Sequence, residues 1–247
     1  MCSNACINFP GEPFNAGSIL PTRNFRQGVF EEAEKINWNA YEKELLTARS
    51  SCYACAIRCK RDIAIGGQPS KYGGPEYEGV GSFGSNCAVY DLQAIARANE
   101  LCNAYGLDCI SAGMTISFAM ECFEKGLIGL EDTDGIELRF GNTEAMLAMV
   151  EKIARREGFG NLLAEGSKRA AETIGGMPYD LQFRSRDRNL PCTNREKNIT
   201  LGLAMPFQKL ALIIWLWHTT QLLPTLSRIS SKVQYLWELP SPSLCVP

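Results

Sequence analysis

Histidine is nearly missing from this chain: its 247 residues include one, His218. A zinc site of mixed Cys/His type is therefore not expected, nor is any chemistry that needs two imidazoles. Surplus charge is also missing. The formal net charge is −2, so overall electrostatics point neither to nucleic acid nor to an anionic membrane. No stretch reaches the roughly 18 uninterrupted apolar residues of a membrane span. The longest apolar run, Leu210 to Trp217, is far shorter. The N-terminus lacks a basic start followed by an apolar stretch, so no export signal is legible and a cytoplasmic location is expected. Cysteine, by contrast, is abundant, at 11 residues. In a chain without an export signal, that number points to a metal or redox role in a reducing compartment rather than to a disulfide framework.

Composition changes near residue 183. Residues 1–182 hold 17 Lys and Arg against 24 Asp and Glu; residues 183–247 hold 8 against 3. The second part has Gly202 alone among the 22 glycines, and three of the four tryptophans, Trp215, Trp217 and Trp237. The first part reads as helical. Asp91 is placed to cap a helix with Leu92, Ile95, Ala98, Leu101 and Cys102 on one side, ending at Gly106. Further helices are expected from Ala40 to Ala48, from Ala112 to Lys125, from Asn142 or Thr143 to Arg156, and from Leu162 to Ile174. Asp62 to Ser85 is rich in Gly and Pro and reads as loop.

The most specific local pattern is Cys52-Tyr-Ala-Cys55-Ala-Ile-Arg-Cys59. Spacings of three and four residues place three sulfurs on one side of a tight turn, where thiolates can converge on an iron–sulfur cube with a fourth ligand from elsewhere. Zinc suits such a soft donor set too, and a structural thiol cluster or a redox CxxC remains open. Arg58, Lys60 and Arg61 would offset the charge of a thiolate-bound cluster. Cys87, Cys102, Cys109 and Cys122 are candidate fourth ligands, although Cys102 and Cys122 also fit as small buried hydrophobes within helices.

The residues around the triplet resemble the tungsten-dependent aldehyde:ferredoxin oxidoreductase family. The resemblance is carried by Leu20-Pro-Thr-Arg-Asn-Phe25, Gly74-Pro-Glu-Tyr-Glu78, Gly84-Ser-Asn-Cys87, Asp91 to Ile95, Ala98 to Asp108, Leu138-Arg-Phe-Gly-Asn142 and Leu163-Ala-Glu-Gly166. It covers about residues 15–182. It implies a mainly α fold, the family's helical middle domain, which supports a tungsten (or molybdenum) bis-pterin and one 4Fe–4S cluster. It also implies oxidation of aldehydes to carboxylic acids, with electrons passed singly through the cluster to ferredoxin. On this resemblance Cys52, Cys55 and Cys59 are cluster ligands. Asn103, Gly106, Leu107 and Asp108 form a pterin-contacting motif. Its residue-level alternative is a plain helix C-terminus with a glycine stop. The active-site carboxylate falls in the Pro-Glu-Tyr-Glu segment, at Glu78 in preference to Glu76; a loop charge in solvent is its alternative.

Three departures from the family are expected. Its sheet-rich first domain, which forms one face of the pterin site, is absent from this sequence and would have to be separately encoded. The family's fourth cluster cysteine is expected in a second pterin motif downstream of where this chain stops. From about residue 183 the likeness is lost. Read one nucleotide earlier, with free wobble bases, the codons for Thr200 to Pro206 and Lys209 to Trp215 yield family-like strings. Residues 183–247 are therefore expected to be an aberrant, out-of-frame and poorly ordered tail, and the chain alone to be inactive. The competing function is a non-catalytic iron–sulfur or zinc module, or a pseudogene product.

Overall fold

The computed structural model describes residue 15 and residues 20–55 and 58–176. All belong to one compact unit, Met1–Ile199. The tail from residue 183, with its expected lack of order, lies outside the described residues.

A 3-10 turn, Ala33–Ile36, leads into helix α1 (Trp38–Glu44) and a three-stranded antiparallel sheet of β1 (Leu46–Ser50), β2 (Lys60–Ile65) and β3 (Gln68–Pro69). Six helices follow: α2 (Tyr77–Phe83), α3 (Leu92–Tyr105), α4 (Cys109–Glu124), α5 (Thr143–Arg155), α6 (Phe159–Ala164) and α7 (Ser167–Ile174). The fold is mainly α, as the sequence implies.

The caps decide where these helices begin. Asp91 Oδ1 accepts from Gln93 N at 2.9 Å and Ala94 N at 3.2 Å, and Asn142 Oδ1 accepts from Ala145 N at 3.1 Å. Both short side chains take up backbone donors that the first helical turn leaves unpaired. Helix α4 starts three residues before the expected Ala112, because Asp108 rather than a later residue caps it.

Three expectations fail. The helix drawn through Ala48 stops at Glu44, and Leu46–Ser50 pairs with β2 instead. The stretch Asp62 to Ser85 is not all loop; it holds most of β2, all of β3 and the whole of α2. The single helix drawn over Leu162 to Ile174 is two, α6 and α7, broken where Gly166 turns to φ 88°.

Helix α4 is the centre of the core and is buried on nearly every side, with Ile116, Phe118, Ala119 and Met120 inaccessible to solvent. Helices α2, α3, α5 and α7 pack on it. Met146, Met149 and Val150 of α5 complete the same apolar cluster. Helix α6 lies unusually close to α5: a Cβ on Gly160 would sit 2.3 Å from the Lys152 carbonyl carbon. The obstruction is backbone, which a rotamer change cannot relieve. Gly160→Ala is therefore expected to destabilise the protein by about 1–3 kcal/mol. Chemical denaturation checks this; an unchanged midpoint would show that α6 moves outward without loss.

Candidate functional site

The cysteine triplet occupies the connection between two strands. Ser50 and Lys60 are the last pair of the β1–β2 ladder, so residues 51–59 form its loop. Cys55 N donates to Cys52 O at 3.0 Å, closing the CxxC as a turn, and Ala54 within it adopts φ 54°. On β2 the alternation of a half-buried strand applies: Arg61 and Ile63 point inward, Lys60 and Asp62 outward. Cys59 continues the inward set and is buried, whereas Cys52 is exposed and Cys55 half-buried. The three thiols thus differ in exposure. Among the described residues, no three His, Cys, Asp or Glu side chains gather into a group able to hold a metal ion. The triplet shares a loop, its soft donors suit an iron–sulfur cluster, and its sulfurs are not drawn together.

Arg61 ties this loop to the glutamate segment. Its Nη1 donates to Pro75 O at 3.2 Å, and Gly74 N donates back to Arg61 O at 2.8 Å. Tyr41 OH donates to the same Pro75 carbonyl at 3.3 Å. Burial pushes the Tyr41 phenol well above its usual range, so it stays a proton donor. Pro75 is therefore held by two donors directly before Glu76. Glu76 is the exposed N-cap residue of α2, and its side chain makes no capping bond. Glu78 sits half-buried in the first turn, where the positive end of the helix favours a carboxylate.

The third motif is the turn between α3 and α4. Gly106 ends α3 at φ 71°, a conformation costly for any residue with a Cβ. Leu107 N donates to Cys102 O at 2.8 Å. Asp108 Oδ1 accepts from Ser111 N at 2.6 Å, and Asn103 Nδ2 donates to Asn99 O at 2.8 Å. Asn103, Gly106 and Asp108 are exposed and Leu107 half-buried. A Cβ on Gly106 would meet nothing within 4 Å, so the surface over the turn is open. Each of these residues has a structural task, and each still presents a face to solvent.

Helix α2 joins the second motif to the third. Ser82 Oγ donates to Cys109 O at 3.3 Å, and a Cβ on Gly79 would lie 3.8 Å from Asn99 Oδ1. The strand that follows the cysteine loop is therefore bonded to the glutamate segment, and the helix after that segment to the first residue past the 103–108 turn.

The candidate fourth ligands divide by burial. The Cys87 thiol donates to Ser82 O at 3.4 Å and Gly113 O at 3.5 Å, and burial pushes it far above the usual thiol range. Cys122 is pushed up to about 12 by burial. Cys102 is fully buried, and Cys109 is half-buried.

Arg23-Asn-Phe25 and Ser85-Asn86 carry part of the family resemblance but no role legible in the sequence. The structure pairs them. Arg23 N donates to Ser85 O at 3.2 Å, Asn24 N to Asn86 O at 3.1 Å, and Phe25 N to Asn86 Oδ1 at 3.2 Å. Arg23, Asn24 and Phe25 all adopt positive φ, of 49°, 54° and 61°. Asn24 Nδ2 then donates to Oε2 of the fully buried Glu121 at 2.7 Å. Three consecutive left-handed residues without glycine leave no compositional signal.

The family described as "Aldehyde ferredoxin oxidoreductase, domains 2 & 3" matches residues 9–208, a span that includes the first residues beyond the composition change at 183. The chain is 40% identical over 178 residues to the tungsten-containing aldehyde ferredoxin oxidoreductase of Pyrococcus horikoshii, covering 70% of this chain and 29% of that protein. It is 43% identical over 164 residues to the protein of the same description from Pyrococcus furiosus, covering 65% and 27%. An aliphatic sulfonate oxidoreductase, WOR-like subunit, of the latter organism is 29% identical over 160 residues, covering 64% and 26%. The chain thus spans under a third of the length of the curated relatives it matches. Among solved structures, the active-site complex BamBC of benzoyl coenzyme A reductase with 1,5-dienoyl-CoA matches with a TM-score of 0.56 and 26% identity, covering 70% of this chain and 26% of that one.

Proposed function

The chain belongs to the aldehyde ferredoxin oxidoreductase family, and on that premise we propose that it supplies the cluster-binding and pterin-contacting face of an oxidoreductase that converts aldehydes to carboxylic acids with ferredoxin as electron acceptor. The observation that supports this reading is the chain of bonds from Arg61, just after the cysteine loop, through Pro75 to α2 and on to Cys109, just after the 103–108 turn. When bound, a tungsten (or molybdenum) bis-pterin would take electrons from the substrate and a 4Fe–4S cluster would pass them on singly. Cys52, Cys55 and Cys59 provide thiolates, and Arg58, Lys60 and Arg61 offset their charge. Asn103 and Asp108 would hydrogen-bond the pterin when it is bound, and Gly106 and Leu107 would leave room for it between them. Glu78, with Glu76 beside it, would hold or receive a proton when substrate is bound. Among the described residues no helix is long and apolar enough to cross a membrane.

The test is to co-express the chain with a sheet-rich first domain of the family in tungstate-supplied cells, purify the pair anaerobically and measure iron and pterin. Asn103→Ala with Asp108→Ala is expected to remove the pterin and leave the iron. Metal without any pterin in the unaltered pair would favour a non-catalytic iron–sulfur or zinc module and overturn the reading.

A further inference from the structure

The β1–β2 hairpin is a basic island in an acidic surround. From Leu46 to Ile65 it carries Arg49, Arg58, Lys60 and Arg61 against Asp62 alone, whereas the other residues up to 182 hold 13 Lys and Arg against 23 Asp and Glu. Arg49, Arg58 and Lys60 reach solvent; Arg61 is buried. Arg58 Nη2 donates to Arg49 O at 2.9 Å, which draws its guanidinium back to the end of β1. Ser50 pairs with Lys60 across the ladder, so the three exposed cations gather where the cysteine loop leaves the strands. The local acids do little to cancel them. Glu42 stands 3.9 Å from Arg49 with both side chains well exposed, a pair of little worth in water. Asp62 accepts from Ser50 Oγ at 2.9 Å. Within the loop, between Cys52 and Cys55, Tyr53 is fully exposed. An uncovered tyrosine among arginines has the composition of an interface centre, where these two residue types carry much of the binding energy.

We infer that this end of the hairpin is a docking surface for an acidic electron-carrier protein, seated on Tyr53 and steered by Arg49, Arg58 and Lys60. The identity of the partner as a carrier rests on the oxidoreductase reading above; its place and its charge rest on exposure and charge contrast. Cys52 is exposed in the same turn as Tyr53, so a carrier seated there meets the triplet directly. The attraction acts between exposed charges. It therefore speeds encounter and is screened by salt, which suits a partner that binds briefly and leaves.

The experiment measures binding of an oxidised ferredoxin, an acidic iron–sulfur protein, to the full chain by biolayer interferometry at low and at high salt. Binding is expected at low salt and is expected to weaken by about tenfold or more at high salt. Arg49→Glu and Tyr53→Ala are each expected to weaken low-salt binding by about tenfold. Lys168→Glu, a charge reversal at an exposed lysine of α7, is expected to leave it unchanged. No binding at low salt would overturn the proposal, and so would an equal loss in Lys168→Glu and Arg49→Glu. Equal affinity for an acidic protein without a redox centre would also overturn it. Tyr53 is wholly exposed, so Tyr53→Ala supplies the answer even if Arg49→Glu, which loses its place over the Trp38 ring, fails to fold. Iron and pterin in the co-expressed pair report the oxidoreductase reading separately. Failure there with binding retained here counts against that reading and for the surface; success there with no binding here overturns the surface.

Discussion

Cys55→Ser is expected to abolish nearly all iron uptake when the chain is reconstituted anaerobically with iron and sulfide. Three thiols share the 51–59 loop, and loss of the central one leaves two in unlike surroundings, Cys52 exposed and Cys59 buried. A replacement would have to come from another thiol, and among the described residues the structure limits the supply. Cys87 donates to two core carbonyls and is held protonated by burial, while Cys102 and Cys122 are fully buried. Only a deprotonated thiol ligates. For the same reason the unaltered chain is expected to take up iron substoichiometrically, with broad visible absorption, unless Cys109 becomes the fourth ligand. Iron analysis and absorption spectra check both points. Full iron occupancy in Cys55→Ser would show that the triplet is not the cluster site.

Asn24→Ala is expected to destabilise the fold by about 2–4 kcal/mol, because it strips a hydrogen bond from a buried carboxylate. Glu121 is inaccessible to solvent, with Asn24 at 2.7 Å on one oxygen and Lys125 at 3.1 Å on the other. Ser117 Oγ lies 3.4 Å from Asn24 Oδ1, donates to the Met114 carbonyl at 2.9 Å and accepts from Asn86 Nδ2 at 2.8 Å, so the loss spreads through a connected group. Asparagine also tolerates the left-handed backbone at this position better than alanine does. Urea denaturation with unchanged slope is the measurement. A shift below about 0.5 kcal/mol, the scale of an ordinary surface change, would show that Glu121 is held adequately without Asn24.

Legibility followed the range of the forces involved. The caps at Asp91 and Asn142 and the stop at Gly106 were readable because a cap and its helix are adjacent in sequence. The strand Leu46–Ser50 was not, since its hydrogen bonds go to Lys60–Ile63 across the cysteine loop. The break at Glu165–Gly166 was missed because one glycine inside an apolar period is compatible with a continuing helix.

The sequence by itself determined the helical character, the family resemblance and the identity of every candidate ligand and carboxylate, since all of these reside in residue type and spacing. Only the tertiary structure decided how the motifs relate. Arg61 reaches Pro75, Ser82 meets the Cys109 carbonyl, and Arg23 to Phe25 lie against Ser85 and Asn86 in a left-handed turn. It also decided that Cys87 and Cys122 are core thiols while Cys109 keeps access to solvent. Burial and contact depend on which distant segments pack together, and an amino-acid pattern confined to one segment carries no record of its partner.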